Sequence, residues 1–481
     1  MSEVSTETRT SAIAEFRNAI VGHLGSDVIL DDPDRLAPYL IERRSLYHGS
    51  APFVLRPRDT AEVSAIVRHA ARLEIPIVPQ GGNTGLVGGQ IPMDGEVLLS
   101  LDRMTAIADV NVDGSCVTVE AGAILSDVHE AADAVGLMFP VSLASKGSAR
   151  IGGLISTNAG GVGVLAYGNM RDQILGLEVV LPDGRIWNGL RALHKDNVGY
   201  DLKHLFIGAE GTLGVVTRAV LKLVPKPHVL DVAMVGVESP ATALTLLSMM
   251  RAALADALTA FELIPAIGLE IVSRHKPDTR QPFAETPPWA VLIEASTFLP
   301  ERPMRDVLEQ VLMRAYEQGI VSDAVVSQSL GEARELWQIR ELMSESQGVL
   351  GGSIKHDVSV PVAEVPAFLA EATAAALAVI PGARPVPFGH LGDGNIHFNI
   401  SQPEGADKAA FLGRWAEMNE AVHAVVRRYG GSIAAEHGVG RMKRDLLPTV
   451  RDEVELDMMR AVKDAFDPKG LMNPGRLLPA R

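Results

Sequence analysis

Apolar residues recur at helical spacing over residues 10–25, where Ile13, Phe16, Ile20 and Leu24 share one face. The same spacing returns over 61–73 with Val63, Ile66, Val67 and Ala70. Short apolar runs at Ile75–Pro79, Val97–Asp102 and Val117–Ala121 read as strands, and Ala123–Ala134 reads as a helix closed by Gly136. Ile174–Leu181 and Leu213–Val224 are further strands, the first followed by a Pro182-Asp-Gly184 turn. Pro225-Lys-Pro227 then interrupts helix and ladder alike and marks a boundary. Beyond it, strands at Val229–Val235 and Ala290–Ser296 alternate with helices at Ala241–Ala257, Met304–Gln318 and Glu332–Gln347. An extended Lys355–Val360 leads into a helix at Val362–Val379, and residues 448–481 are mainly one helix followed by Asn473-Pro-Gly-Arg476. This alternation predicts an α+β domain with helices on one face of an antiparallel sheet.

A chain of 481 residues exceeds one ordinary core and suggests two or three domains. The net charge of −15 argues against a nucleic-acid partner, because phosphate binding needs clustered Lys and Arg. The single cysteine, Cys116, excludes an internal disulfide framework and a cysteine-rich metal site, and fits a reducing compartment. The sequence reads as lacking an apolar run of the roughly 18 residues that span a bilayer, so no membrane-spanning segment is expected. The N-terminus has no basic start or apolar core, and Glu3, Glu7 and Glu15 are out of place in a transit peptide. A cytoplasmic location is therefore expected.

Two glycine-rich stretches carry candidate chemistry. Pro79-Gln-Gly-Gly-Asn-Thr-Gly-Leu-Val-Gly-Gly89 holds five glycines between apolar strands. Glycine lets backbone N–H groups crowd a ligand, and successive amides form an anion nest suited to a pyrophosphate. The loop is neither a Walker loop nor a Gly-x-Gly-x-x-Gly leading into a helix, which disfavours nicotinamide and leaves an adenine dinucleotide. In Gly147–Gly163 small residues allow close approach of a flat ring, and Ser156, Thr157 and Asn158 supply polar contacts. Gly208-Ala-Glu-Gly-Thr-Leu-Gly-Val-Val216 is a third small-residue turn.

The richest segment is Phe388-Gly-His-Leu-Gly-Asp-Gly-Asn-Ile-His-Phe-Asn-Ile400. Asp393-Gly394 between apolar runs signals a two-residue hairpin, which would set His390 directly opposite His397, with Cβ atoms roughly 5 Å apart. Two such imidazoles can share a metal ion, with Glu436 adding an oxygen and His437 acting beside it. Upstream, Arg340 and Ser344 share a helix face at i, i+4. An Arg fork binds a carboxylate in bidentate fashion, although Glu335, Glu341 and Glu345 offer a surface ion pair instead. Lys355 follows on an extended segment, and the adjacent His356 reads as structural. Gly440-Arg-Met-Lys-Arg444 reads as a solvated charged face.

Together these segments resemble the flavoprotein superfamily of vanillyl-alcohol oxidase and p-cresol methylhydroxylase. The order Pro79–Gly89, Gly152–Gly163, Gly208–Val216, Gly389–Asn399, Glu436–Gly440 and Asn473–Arg476 matches over nearly the whole chain. The histidine motifs resemble the metal-dependent D-2-hydroxyacid dehydrogenase branch, particularly the D-2-hydroxyglutarate dehydrogenases. The resemblance implies a two-subdomain FAD-binding domain over 1–226, an α+β substrate domain with the metal site over 227–447, and a segment 448–481 returning to the FAD domain. It assigns Gly81, Gly82, Asn83, Thr84 and Gly85 to the pyrophosphate. Gly152, Gly153, Thr157, Asn158, Gly163 and Val164 would lie along the flavin and its tail. Gly211 and Val216 would support the adenosine half, with Asn473 near the cofactor. His390, His397 and Glu436 become ligands of Zn2+ or another divalent metal, and His437 the general base, since imidazole titrates near neutrality. Arg340, Ser344 and Lys355 would bind a distal carboxylate, with Ser344 where relatives carry Thr, and Asn399 would orient the substrate. The 79–89 loop has no histidine and Cys116 reads as part of a strand, so FAD is expected to be non-covalent.

The implied reaction is FAD- and metal-dependent oxidation of D-2-hydroxyglutarate to 2-oxoglutarate. D-lactate or glycolate is the nearest rival substrate, and a non-redox flavoprotein such as an ether-lipid synthase the rival of another class. The implied partners are an electron-transfer flavoprotein or a quinone-linked acceptor and a second copy in a homodimer.

Overall fold

Val63, Ile66, Val67 and Ala70 bury one face of the helix Thr60–Leu73. Asp59 caps that helix by accepting from the Glu62 N–H, and Glu74 ends it in the left-handed conformation. Its apolar face meets Phe16 and Ile20 of the helix Thr6–Leu24 and the strand residues Leu55, Ile77, Val97 and Leu99. Burial of Phe16 and Ile20, both at 0 % exposure, contributes about 2 kcal/mol each. The computed structural model describes residues 6–480, so the reading of Met1–Ser5 falls outside the described residues.

The chain divides into two compact units. The first runs to Gly161, resumes from Asn169 to Pro225 and returns from Glu436 onward; the second takes Val162–Gly168 and Lys226–Ala435. The returning segment thus begins at Glu436, earlier than the expected residue 448.

The first unit contains two four-stranded sheets. One orders its strands Ile29–Leu30, Val54–Leu55, Val97–Ser100 and Ile77–Gln80, the last three parallel. Val97–Ser100 is buried at every position, as a central parallel strand is. The C-terminal segment joins the Ile77 edge, where the Ile77 N–H donates to the Leu471 carbonyl and the Asn473 N–H to the Ile77 carbonyl. The other sheet is antiparallel, in the order Cys116–Glu120, Val215–Lys222, Ile174–Val180, Ile186–Gly189. Leu125 and Val128 of one helix and Leu154 and Ile155 of another fill its core.

The second unit is built on an eight-stranded antiparallel sheet. Its central strands are Val229–Val237, Trp289–Thr297, Leu258–Pro265, Arg384–His390 and Asn395–Ser401. Every residue of Leu258–Pro265 is buried, as is every residue from Asp231 to Val237. Alternate side chains point to opposite faces, so both faces are covered rather than the single one expected. Helices Ala266–His275 and Leu330–Ser346 pack over Val232, Met234, Leu292, Val386 and Phe388. Helices Pro240–Leu254 and Met304–Glu317 pack on the sheet as a second pair.

The helical stretch Val362–Val379 is 18 residues long with a mean hydropathy of 1.6. By length and composition it meets the spanning criterion, contrary to the sequence expectation. Within the fold Val365, Phe368, Leu369, Ala372 and Ala376 form a buried stripe, and the Phe368 ring meets Phe398 of the sheet. That stripe packs on the sheet, while 28 % of the stretch as a whole is buried inside the fold.

Candidate functional site

In the first unit, the chain leaves strand Ile77–Gln80 and turns through Gly81–Gly85 without regular structure. A Cβ at Gly82 would lie 1.9 Å from the Ser148 carbonyl oxygen, and one at Gly81 would lie 3.4 Å from the Gly153 nitrogen. Gly153 itself, on the helix Ile151–Thr157, has no atom within 4 Å of such a Cβ. Backbone packed this closely beside an open glycine fits a dinucleotide, whose pyrophosphate takes amide hydrogens and whose ring needs room.

Several polar side chains named for the cofactor are engaged locally. Asn83 donates to the Pro38 and Ile41 carbonyls at 2.9 Å each and accepts from Gln90 at 3.0 Å. It braces the loop, so what the loop offers a ligand is backbone. Thr157 donates to the Gly153 carbonyl at 3.1 Å, and Asn158 accepts from the Arg171 N–H at 2.9 Å. Gly211, at φ 72, packs against Pro79, and Val216 is buried in strand Val215–Lys222 opposite Val179. Gly163 and Val164 cluster with the second unit, whereas Gly152 and Gly153 belong to the first.

Glu210, not singled out in the sequence, organises this unit. It stands at φ 51 inside the 208–216 turn, and its carboxylate accepts from the N–H groups of Val439 and Gly440 at 2.7 Å each. Burial pushes its pKa up, while those two amides and Lys443 pull it back. Asn473 donates to the Glu210 carbonyl and to the Gly89 carbonyl. The Arg441 and Met442 amides donate to Val87 within the glycine loop. The segment carrying Glu436 and His437, whose Oε1 and Nε2 are 3.7 Å apart, is thereby fastened to the loop and to the 208–216 turn.

In the second unit His390, His397 and Asn399 share one sheet face, over which the helix carrying Arg340 packs. The hairpin register differs from the two-residue expectation: His390 pairs with Asn395, and His397 pairs with Phe388. Leu391–Gly394 forms a four-residue loop in which the Gly394 N–H returns to the His390 carbonyl at 3.0 Å. Gly394 takes φ 86, where a Cβ would lie 2.2 Å from the Val360 carbonyl oxygen, and the loop closes on the His390–Asn395 pair where an Asp-Gly turn would close on Gly392–Asn395. His390 and His397 are therefore diagonal rather than opposed. Diagonal residues still share a face, and the two rings lie 5.6 Å apart between centroids.

Glu262 lies directly across from His390 on strand Leu258–Pro265. Its Oε1 is 2.6 Å from His390 Nδ1, and its Oε2 accepts from Arg340 Nε at 2.6 Å. Burial would raise the Glu262 pKa, but His390 and Arg340 outweigh it and bring it down to about 2. Arg340 is 7 % exposed, and its Cζ sits 4.8 Å over the Phe388 ring. The surface ion pair considered for it is thus replaced by a buried one. Among the described residues no acceptor meets its two terminal nitrogens.

Ser344 is exposed one turn along the same helix, and Lys355 Nζ donates to its carbonyl at 3.2 Å. Asn399 is buried opposite Val386, on the His397 face. Asp357 pairs with His397 in the neighbouring strand, accepts from Asn395 at 3.0 Å and lies 3.9 Å from His397 Nδ1. His356 meets the Phe398 carbonyl at 2.9 Å, a structural place as expected. Glu262 and Asp357 escaped the sequence reading. The one available signal was a lone carboxylate in the apolar run Leu258–Pro265.

The profile described as "FAD linked oxidases, C-terminal domain" matches residues 226–477, and "FAD binding domain" matches 51–189. A D-2-hydroxyglutarate dehydrogenase of Xanthomonas citri pv. viticola is 39% identical over 425 residues, 88% of either chain. The mitochondrial D-2-hydroxyglutarate dehydrogenase of Arabidopsis thaliana is 36% identical over 458 residues, 95% of this chain and 80% of its own. The solved structure of p-cresol methylhydroxylase with substrate bound superposes with a TM-score of 0.76 at 18% identity, covering 98% of this chain and 97% of that one. An alkyldihydroxyacetonephosphate synthase superposes at 0.73 with 17% identity, covering 96% and 84%. Both structures speak for the fold alone. The chain belongs to the FAD-linked oxidases, and FAD is its cofactor.

Proposed function

We propose that the chain oxidises D-2-hydroxyglutarate to 2-oxoglutarate as an FAD-dependent D-2-hydroxyacid dehydrogenase. The observation that carries this reading is the buried Arg340 beside the His390–His397 pair on one sheet face. A guanidinium whose terminal edge meets no acceptor among the described residues suits a second carboxylate, which D-lactate and glycolate lack. The relatives at 36–39% identity carry the same substrate in their names. The ether-lipid synthase reading has only a likeness at 17% identity.

In this proposal Arg340, Ser344 and Lys355 bind the distal carboxylate, and Asn399 orients the reacting end. His390, His397 and Glu436 hold Zn2+ or another divalent ion. Its support is the donor chemistry of the paired imidazoles and the covalent chain: Glu436 follows Ala435, whose N–H donates to the Asp357 carbonyl in the strand beside His397. Such an ion lowers the pKa of a hydroxyl it binds. His437 takes the hydroxyl proton, held in place by the amides that follow it on Glu210. FAD supplies the acceptor for the hydride leaving C2. It is held without a covalent bond, since the 79–89 loop has no histidine and Cys116 is buried opposite Lys222 in its strand. An electron-transfer flavoprotein or quinone-linked protein then takes the electrons, and a homodimer is the working form.

The experiment is reduction of the purified holoenzyme by D-2-hydroxyglutarate, D-lactate and their L forms with a dye acceptor, before and after chelation. D-specific turnover of the dicarboxylate that chelation abolishes and Zn2+ restores is the expected result. A preference for D-lactate would remove the distal-carboxylate role from Arg340, and turnover indifferent to chelation would remove the metal.

A further inference from the structure

Glu262 divides its two carboxylate oxygens between two residues with separate tasks. Oε1 takes His390 Nδ1 and Oε2 takes Arg340 Nε, each at 2.6 Å. It is 1 % exposed in a strand whose other residues are all buried. Burying a carboxylate there costs several kcal/mol, and a well-packed apolar residue would serve stability as well. The arrangement has a consequence that packing alone does not require. An ionised carboxylate is an acceptor only, so His390 must carry its proton on Nδ1, which puts the ring's lone pair on Nε2. With Nε likewise committed, Arg340 presents its terminal edge, stacked on Phe388, in one orientation.

We infer that Glu262 is a positioning residue that sets both ends of the substrate at once, fixing the His390 tautomer for metal ligation and the Arg340 edge for the distal carboxylate. The inference rests on the proposed hydroxyacid reading. It also couples the two recognition elements: one oxygen cannot be withdrawn from the pair without disturbing the other.

Glu262→Gln tests it because an amide offers one acceptor and one donor. Glutamine can satisfy Arg340 and force His390 to accept at Nδ1, which moves the proton to Nε2, or satisfy His390 and leave Arg340 unmet. The measurements are Zn2+ affinity of the FAD-loaded protein by equilibrium dialysis, and KM for D-2-hydroxyglutarate and D-lactate. The expected result is Zn2+ affinity about 10- to 100-fold weaker and a selectively raised KM for the dicarboxylate, at unchanged FAD content. Wild-type Zn2+ affinity and KM in the variant, or a loss confined to melting temperature, would overturn the inference. Should Glu262→Gln fail to fold, Glu262→Asp carries the test, since the shortened carboxylate keeps its charge but cannot span both partners. Parent-like affinity and KM there would equally overturn it. If the wild-type protein itself binds no Zn2+ and ignores chelation, it is the metal part of the functional reading that fails, and with it the tautomer role of Glu262.

Discussion

Asn473 donates from Nδ2 to the carbonyl oxygen of Glu210 at 2.6 Å, across 263 residues of sequence. The same nitrogen reaches the Gly89 carbonyl at 3.1 Å. One amide thus ties the end of the glycine loop to the turn whose carboxylate anchors Val439 and Gly440. Asn473→Ala leaves two carbonyls short of a donor in a buried place and is expected to cost about 2 kcal/mol, with a melting temperature lower by about 5 °C. Thermal unfolding and the flavin-to-protein absorbance ratio check it, and FAD content is expected to fall as well.

The glycine loop yields a paired prediction. Gly82→Ala drives a Cβ into the Ser148 carbonyl, a backbone atom that cannot rotate away, so the loop must distort at a cost of about 1–3 kcal/mol. Gly153→Ala meets open space and leaves the FAD-free protein as stable as before. Flavin titration of the two apoproteins is expected to show weaker binding in both, and unfolding curves a loss of stability only in Gly82→Ala.

Tyr39 donates to Asp102 at 2.5 Å, and burial together with that carboxylate pushes its pKa up to about 12. The folded state therefore holds this proton more tightly than the unfolded chain, whose tyrosines ionise near 10. The stabilisation is complete below pH 10 and is lost as pH rises through 12. The hydroxyl is partly exposed, so screening reduces the effect to about 1 kcal/mol. Denaturant unfolding between pH 9 and 12 is expected to steepen in the parent and flatten over that window in Tyr39→Phe.

Glu294 accepts from Thr259 and from Trp337 Nε1, both at 2.7 Å. Burial raises its pKa, those two donors lower it, and nearby Glu262 raises it further, for a net upward shift. A raised carboxylate makes the protein lose stability as pH climbs above the ordinary value of 4.5. Glu294→Gln can keep both contacts, its oxygen toward the indole and its amide nitrogen toward the threonine hydroxyl. The variant is expected to be more stable at neutral pH, with a stability that no longer falls as pH climbs above 4.5.

The sequence carried the helices well where one apolar stripe repeats, as in Thr60–Leu73 and Leu330–Ser346. It missed Leu258–Pro265, where burial on both faces erases the alternation that marks a strand. Glu262 was lost with it. The histidine pair was legible, but its register was not, because Asp393-Gly394 forms the second half of a four-residue loop rather than a two-residue turn. The interleaving of the two units left no local trace: nothing between Ala435 and Glu436 distinguishes leaving one core from entering another.

That interleaving sets an order of events in time. A chain emerging from the ribosome presents all of Lys226–Ala435 before Leu471 and Asn473 can close on Ile77. The second unit can finish folding while the first still lacks its last strand partner and its anchor for Glu210. The first unit is therefore completed last, and a nascent chain stalled before Leu471 would hold a finished second unit while the glycine loop still had nothing to lock it.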